Sequence, residues 1–235
     1  MTRGAFIVIE GLDRSGKTTQ TELLATRLTT NGVSVARRKF PGKRRFGCII
    51  PKRTTYTHTL SLSLYVDRTT GTGQMIDAYL RGTAELDDRA VHLLFSANRW
   101  EAARALEAQL MVGTTVLCDR YAFSGVAFSA AKGLPLAWCR APDVELPTPD
   151  LTLFLDLAPE RAAERGGYGT ERYEKEALQA RVRALFKSMG EETPGWMTID
   201  AGRDREAVAH DIWTQVEPLI HGVDSPIDKL WTTDG

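Results

Sequence analysis

Residues 5–28 read AFIVIEGLDRSGKTTQTELLATRL, and this stretch decides the fold. The apolar run at 5–9 predicts a buried strand, and apolar positions at helical spacing predict a helix over 18–28. Between them, Gly11 to Thr18 fits G-x-x-x-x-G-K-S/T, a phosphate-binding loop. The N–H groups of such a loop and of the helix start form a cradle for phosphate oxygens. The strand–loop–helix order therefore predicts a nucleoside triphosphate site.

Three side chains of this loop are candidates for phosphate chemistry. Lys17 would reach the β- and γ-phosphates of a bound nucleotide, and the Thr18 hydroxyl would ligate Mg²⁺. Arg14 is a second cation beside Lys17. Phosphoryl transfer builds charge on the transferring group, so Arg14 would either neutralise that charge or remain a solvated loop residue. The sequence leaves both readings of Arg14 open.

The composition is that of an ordinary globular enzyme and argues against two classes of partner. In 235 residues, Lys+Arg and Asp+Glu both count 30, so the formal net charge is zero. Nucleic-acid and membrane-surface binders show a basic excess, so we expect neither partner. Cys48, Cys118 and Cys139 have no metal-ligand or disulfide spacing, and no apolar run approaches a membrane span. We expect a cytoplasmic protein without a signal peptide, with nuclear or organellar presence left open.

Strand and helix patterns alternate along the chain, which predicts one α/β domain over residues 1–235 with a parallel sheet. Apolar runs predict strands at residues 5–9, 33–40, 115–118, 151–157 and 197–200. Helical periodicity predicts helices at residues 18–28, 74–80, 88–111, 158–164, 174–189 and 205–217. The glycine-rich residues 165–169 read as a mobile loop.

Asp119 and Arg120 directly follow the predicted strand at 115–118. In parallel α/β sheets ligands bind at the carboxyl ends of the strands. Asp119 would organise Mg²⁺ through water there, and Arg120 would clamp phosphate oxygens. The competing interpretation is a structural salt bridge at the strand end.

Phe95 and Arg99 are four residues apart on the predicted helix over 88–111, so they share one face. A ring and a guanidinium presented together can stack on a base and hydrogen-bond its edge. Periodicity alone favours the alternative, a core Phe beside a surface Arg.

Read together, these segments closely resemble thymidylate kinases of the eukaryotic type. The motifs that carry the resemblance are IVIEGLDRSGKTTQ, VHLLFSANRWE, DRYAFSGVAF, PDVELPTPDLTLFLDL and ERYEKEALQ. The resemblance implies a P-loop nucleoside-monophosphate-kinase fold, with a five-stranded parallel sheet flanked by helices on both faces and a small mobile lid at 165–173. It also implies a homodimer that transfers the γ-phosphoryl group of ATP to dTMP with Mg²⁺, giving dTDP and ADP for dTTP synthesis.

The resemblance further implies a role for each matching side chain: Asp13 at the deoxyribose 3′-hydroxyl, Phe95 stacked on thymine and Arg99 at its edge. The implied catalytic residues are Asp13, Arg14, Lys17 and Arg120. The implied ATP-binding residues are Gly11, Arg14, Ser15, Gly16, Lys17, Thr18, Thr19 and Arg203. The implied dTMP-binding residues are Asp13, Phe40, Arg68, Phe95, Arg99, Arg120, Phe128, Tyr173 and Gln179. Thr18 and Asp119 are the implied Mg²⁺ residues.

Residues 42–66 do not fit the family pattern and are interpreted as an insert. The family motif Phe-Pro-acidic-Arg-S/T-Thr starts at Phe40, breaks at Gly42 and resumes at Asp67, so Arg68 becomes the candidate for the dTMP phosphate. The segment is either a translated unspliced intron, since its 25 codons keep the frame, or a genuine loop. In the protein we expect a poorly ordered surface loop that weakens use of dTMP rather than binding of ATP.

Three other functions stay open at this point. The same architecture hosts kinases for other nucleotides or nucleosides. The insert makes a catalytically impaired paralogue conceivable. A regulatory nucleotide-binding module would bind nucleotide without acceptor-dependent turnover, although the N-K-x-D motif of GTPases is absent from the sequence.

Overall fold

The computed structural model describes residues 2–40, 70–164, 173 and 176–232. Five parallel strands form one sheet in the order β2-β3-β1-β4-β5. The strands are β1 Phe6–Gly11, β2 Val35–Lys39, β3 Thr115–Asp119, β4 Leu151–Asp156 and β5 Trp196–Asp200. The α-helices are α1 Lys17–Thr30, α2 Gly71–Leu80, α3 Asp88–Met111, α4 Ala122–Ala130, α5 Leu136–Arg140, α6 Pro159–Ala163, α7 Glu176–Glu192 and α8 Arg205–Val216.

The central strand β1 is buried along its whole length because helices cover both faces of the sheet. Side chains alternate between the faces of a strand. Phe6 and Val8 accordingly pack with residues of α3, α4 and α7, whereas Ile7 and Ile9 pack with residues of α1 and α8. This double burial explains why the strand is nearly continuously apolar.

Strand order places the ends of β1 and β3 side by side at the centre of the sheet. Ile9 of β1 lies opposite Asp119 of β3. From β1 the chain crosses to β2 at one edge, and from β3 it crosses back to β4 on the other side. A crevice opens where connections diverge in this way, and ligands bind there in open α/β sheets.

All five predicted strands are confirmed, but the sequence interpretation missed helices α4 and α5. Helix α4 has buried residues on nearly every side, so it lacks the apolar stripe that marks an amphipathic helix. It also contains Gly125, which lowers helix propensity. That glycine is required because a Cβ there would lie 2.8 Å from Arg99 Nη2. Helix α5 has only five residues, too few for a periodic pattern.

Some predictions fall on residues outside the described part of the chain. These are the insert at 42–66, the glycine-rich loop at 165–169 and all of the lid except Tyr173. Within the described part, no helix has both the length and the apolar character that a membrane span requires.

Candidate active site

The loop between β1 and α1 has the backbone conformation that its glycines allow. Gly11 and Gly16 both have positive φ, at 151° and 93°, and Gly16 caps the N-terminus of α1. A Cβ on Gly11 would lie 2.8 Å from the Leu155 carbonyl oxygen, so only glycine lets the loop pass β4 this closely. Arg14 adopts φ 62°, a left-handed conformation that is uncommon for a non-glycine residue. Non-glycine residues held in this region concentrate at ligand-binding sites.

Lys17 is buried in this loop with its ammonium turned toward loop oxygens. Its Nζ donates to the Leu12 carbonyl at 2.5 Å and lies 3.5 Å from Ser15 Oγ. Burial, together with the nearby Arg120 guanidinium, lowers the pKa of Lys17 to about 7. A phosphate anion would stabilise the charged ammonium that burial disfavours, so the site is suited to an anionic ligand.

Asp13 joins the loop to Arg120, just after β3, and to α7 through both of its carboxylate oxygens. Arg120 Nη2 donates to Oδ1, and Gln179 Nε2 donates to Oδ2 at 2.9 Å. The amide of Gln179 also donates to the Tyr173 carbonyl at 2.8 Å. Burial alone would raise the pKa of Asp13, but the charges of Arg120 and Lys17 outweigh it and lower that pKa. Four of the sequence-predicted site residues are therefore linked in one network.

Arg120 lies where the phosphate loop meets helix α4. Its backbone has φ 72°, and its Nη1 donates to the Gly11 carbonyl at 3.0 Å and to Ser124 Oγ at 3.2 Å. Its guanidinium also lies 5.3 Å from the ring centre of Phe128. A single cation thus contacts the phosphate loop and the aromatic residue predicted for the dTMP pocket.

Glu10 is a buried carboxylate that the sequence interpretation missed. It accepts from the Tyr121 and Ser124 backbone N–H groups at 2.9 and 3.1 Å and from Ser124 Oγ at 2.5 Å. It thereby caps the N-terminus of α4 from a neighbouring strand, a favourable position for a carboxylate. Burial raises its pKa, against the effect of these hydrogen bonds and of Arg120. The sequence signal that could have identified Glu10 is a single acidic residue within the apolar run AFIVIEG.

Thr18 and Asp119 meet at the ends of α1 and β3, as predicted for a magnesium site. Thr18 Oγ1 donates to Asp119 Oδ2 at 2.8 Å, while Asp119 Oδ1 is buried with no hydrogen-bond partner among the described residues. Lys39, which was not predicted, contacts both groups, with its Nζ 2.7 Å from Thr18 Oγ1 and 2.8 Å from Asp119 Oδ2. Burial would raise the pKa of Asp119, but Lys39 and Lys17 together lower it.

Arg99 is buried, which corrects the interpretation of a surface Arg that periodicity favoured. Its Nε and Nη2 donate to the two carboxylate oxygens of Asp143 at 3.0 and 2.5 Å. Ser96 Oγ donates to the same carboxylate at 2.8 Å. Phe95 is half-buried on the same helix. Asp143, which lies in a family motif but was given no role from the sequence, therefore fixes the plane of the Arg99 guanidinium.

Phe128 and Tyr173 form an aromatic wall beside Arg120. Their ring centres are 5.5 Å apart. Lys132 Nζ lies 3.3 Å from the Tyr173 hydroxyl and donates to Tyr79 Oη at 3.1 Å and to Asp88 Oδ1 at 2.6 Å. Lys132 thus holds Tyr173 against helices α2 and α3, a connection that the sequence did not predict.

Comparisons of sequence and of structure lead to one family. A family model described as thymidylate kinase matches residues 9–61 and 62–212. The chain belongs to the thymidylate kinase family. It is 43% identical over 235 residues to a thymidylate kinase of Arabidopsis thaliana, covering 98% of this chain and 78% of the relative. It is 40% identical over 232 residues to that of Homo sapiens, covering 97% and 98%.

A solved structure of thymidylate kinase from Candida albicans superimposes with a TM-score of 0.79 at 33% identity, covering 97% of this chain and 99% of that one. The predicted family and its five-stranded parallel sheet with helices on both faces are thus confirmed. The two parts of the family-model match join between residues 61 and 62, inside the predicted insert. The insert itself stays a prediction.

Not every residue inferred from thymidylate kinases lies in the linked network. Arg203 is exposed and pairs with Asp211 at 2.5 Å. Phe40 is buried in the core, with its ring centre 6.0 Å from that of Tyr121. Thr19 is exposed on the first turn of α1, and Arg68 lies outside the described residues.

Proposed function

We propose that the protein transfers the γ-phosphoryl group of ATP to dTMP, giving dTDP and ADP for dTTP synthesis. The observation that carries the proposal is the network around Asp13. It links the phosphate loop to Arg120 and, through Gln179, to Tyr173. This network supports a donor cradle and an aromatic acceptor pocket that would lie side by side, as phosphoryl transfer between two bound nucleotides requires.

The donor half of the site fits ATP with Mg²⁺. Gly11, Ser15 and Gly16 shape the loop, and Lys17 supplies a buried cation for the phosphates. Within the part of the chain that the structure describes, Asp119 Oδ1 has no partner, and Thr18 Oγ1 lies beside that carboxylate, so this oxygen pair fits a hard cation. When bound, Mg²⁺ would be held by Thr18 and Asp119 and would neutralise charge on the phosphates.

Phosphoryl transfer requires mainly that the two nucleotides are positioned and that the charge on their phosphates is neutralised. A phosphate oxygen of dTMP is already anionic at neutral pH, so the acceptor needs no general base. Arg120 lies between the loop and the acceptor pocket, where its cation can bring two phosphate groups together. Asp13 holds Arg120 in place, and Arg14 and Lys17 add positive charge on the donor side.

The acceptor half offers a flat ring and a fixed guanidinium for thymine. Phe95 would stack on the base, and Arg99 would hydrogen-bond its edge with a nitrogen that Asp143 does not occupy. Phe128, Tyr173 and Gln179 would line the rest of the pocket. Arg68 is the proposed ligand of the dTMP phosphate, on the basis of the family motif alone.

The adenine of ATP would lie toward the ends of β4 and β5. A cavity of about 360 Å³ opens there and is lined by Gly202, the residue before the proposed adenine residue Arg203. Arg161 approaches Gly202 so closely that a Cβ there would lie 2.8 Å from Arg161 Nη1. A guanidinium at such a wall can stack on a base.

A homodimer is part of the proposal. Met75 on α2 and Leu93 and Trp100 on α3 are large apolar side chains that are each more than 40% accessible. Exposed apolar surface of this kind marks interaction sites. A cytoplasmic location fits the two described cysteines, Cys118 and Cys139, which are buried and free.

The main alternative is a kinase with another or a broader acceptor. The Candida albicans thymidylate kinase is described as having broad substrate specificity. A catalytically impaired paralogue is the second alternative, because the predicted insert at 42–66 ends two residues before Arg68.

The proposal is tested by coupled ADP release with and without dTMP, using the full chain and a variant lacking residues 42–66. We expect dTMP-dependent release that the deletion increases, with an unchanged KM for ATP. Parallel assays with dUMP, dGMP and thymidine test the acceptor, and a preference for any of them would overturn the choice of dTMP. Nucleotide binding without acceptor-dependent release from either protein would instead indicate a regulatory module.

A further inference from the structure

Lys39 places its ammonium between the two groups proposed to hold magnesium. Its Nζ lies 2.7 Å from Thr18 Oγ1 and 2.8 Å from Asp119 Oδ2. The sheet brings it there, because Lys39 is the last residue of β2 and pairs in register with Asp119, the last residue of β3. The side chain is 31% exposed, so it is anchored at one end of the sheet yet open to solvent.

We infer that Lys39 is the protein's own cation at the metal position, which it occupies until a metal-bound nucleotide displaces it. This rests on the proposed function for the identity of the metal site. Asp119 is only 4% exposed at its side chain, and a buried carboxylate without a counter-charge is costly. Lys39 supplies that charge, and its long flexible stem allows it to leave.

Displacement follows from electrostatics. A divalent ion that ligates Thr18 and Asp119 cannot coexist with an ammonium at hydrogen-bond distance from both, because like charges this close repel strongly. A free metal ion can therefore bind only by displacing the Lys39 ammonium, which weakens its binding. A metal that arrives with a nucleotide has additional ligands in the phosphates, so Lys39 biases the site toward the metal–nucleotide complex and against the bare ion.

The test measures Mn²⁺ binding, by the electron paramagnetic resonance signal of free Mn²⁺, with and without ADP and in the absence of dTMP. Without nucleotide, Lys39→Met is expected to bind Mn²⁺ about tenfold more tightly than the wild type. Lys39→Arg keeps the charge, and its affinity for Mn²⁺ is expected to stay within about twofold of that of the wild type. Arg37→Met, the same charge change two residues earlier on the same face of β2, controls for net charge.

The gain in affinity is expected to shrink when ADP is present, because phosphate ligands then favour the metal in both proteins. Equal Mn²⁺ affinity of Lys39→Met and wild type, with unchanged thermal unfolding, would overturn the inference. Weaker Mn²⁺ or ADP binding by Lys39→Met would overturn it too, since Lys39 would then support the site. If Lys39→Met does not fold, Lys39→Gln takes its place. If the wild type binds ADP but not Mn²⁺, this inference fails alone; if it binds neither, the proposed function fails with it.

Discussion

The two ends of the candidate site are assembled over very different distances in sequence. The donor end is one loop, in which Gly11, Gly16 and Lys17 lie within seven consecutive residues. The acceptor end depends on pairs such as Arg99 with Asp143, which are 44 residues apart, and Asp13 with Gln179, which are 166 apart. Local backbone geometry forms the donor end. Pairing between charged and polar side chains that are far apart in sequence forms the acceptor end.

This difference means that substitutions at the two ends should fail in different ways. Removing a donor-end cation should lower the rate and leave the fold intact, because the loop is held by its glycines and by β1. Removing an acceptor-end partner should also destabilise the protein, because buried charges lose their partners.

The largest effect is expected from Lys17→Met at the donor end. Loss of a positioned cation that stabilises developing charge costs about 10²- to 10³-fold in kcat. Lys187→Met, which removes a half-exposed lysine on α7, is the control and should leave kcat unchanged. The measurement is coupled ADP release with saturating dTMP. A loss below about threefold for Lys17→Met would contradict the proposed role of the loop.

Asp143→Asn should have the next largest effect, at the acceptor end. It leaves the buried Arg99 without its carboxylate, and breaking a buried pair costs about 3–5 kcal/mol in the free energy of unfolding. The KM for dTMP should rise while that for ATP stays unchanged. Urea unfolding and steady-state kinetics measure both effects.

The control for Asp143→Asn is Glu192→Gln, which breaks an exposed pair with Arg140 and should cost at most about 1 kcal/mol. If both variants lose the same free energy of unfolding, burial of the Arg99–Asp143 pair does not contribute to stability. If Asp143→Asn changes the KM values for ATP and dTMP equally, the two ends of the site are not separable in this way.

The same distinction explains what the sequence could predict. The phosphate loop, the five strands and the separate positions of Thr18 and Asp119 follow local patterns, since a buried strand, a glycine turn and a strand end are each encoded within a few residues. Asp143, Lys132 and Lys39 act through partners that only the fold brings near. Helix α4 was missed for a related reason, because burial on nearly all sides removes the periodicity that predicts a helix.

Glu10→Gln tests the buried side chain of β1 that caps helix α4. Gln keeps the shape but replaces one oxygen acceptor at the start of α4 with an amide donor, which costs about 1–2 kcal/mol in the free energy of unfolding. Because Arg120 donates to Ser124, its position should loosen, and kcat should fall about tenfold. An unchanged kcat together with a lower stability would assign Glu10 a purely structural role.

A smaller effect is expected on the number of protons that the protein takes up when nucleotide binds. The pKa of Lys17 is about 7 in the free protein, so at pH 8 this lysine is mostly neutral. Phosphate charge raises that pKa, so binding should take up as much as about one proton at pH 8 and fewer at pH 6. Calorimetry in two buffers of different ionisation enthalpy measures the uptake. Lys17→Met should abolish it, and an uptake that persists in this variant would assign the proton to another group.

The smallest effect is expected from Arg203→Ala at the adenine end, outside the linked network. Arg203 is half-exposed and pairs with Asp211 at the surface, so its contact with a base would be screened by solvent. We expect the KM for ATP to rise about two- to threefold with kcat unchanged. Arg205→Ala, a neighbouring exposed arginine paired with Glu206, should leave the KM for ATP unchanged. Equal kinetics for the two variants would remove Arg203 from the ATP site, and a loss above tenfold in kcat would extend the network to this end of the sheet.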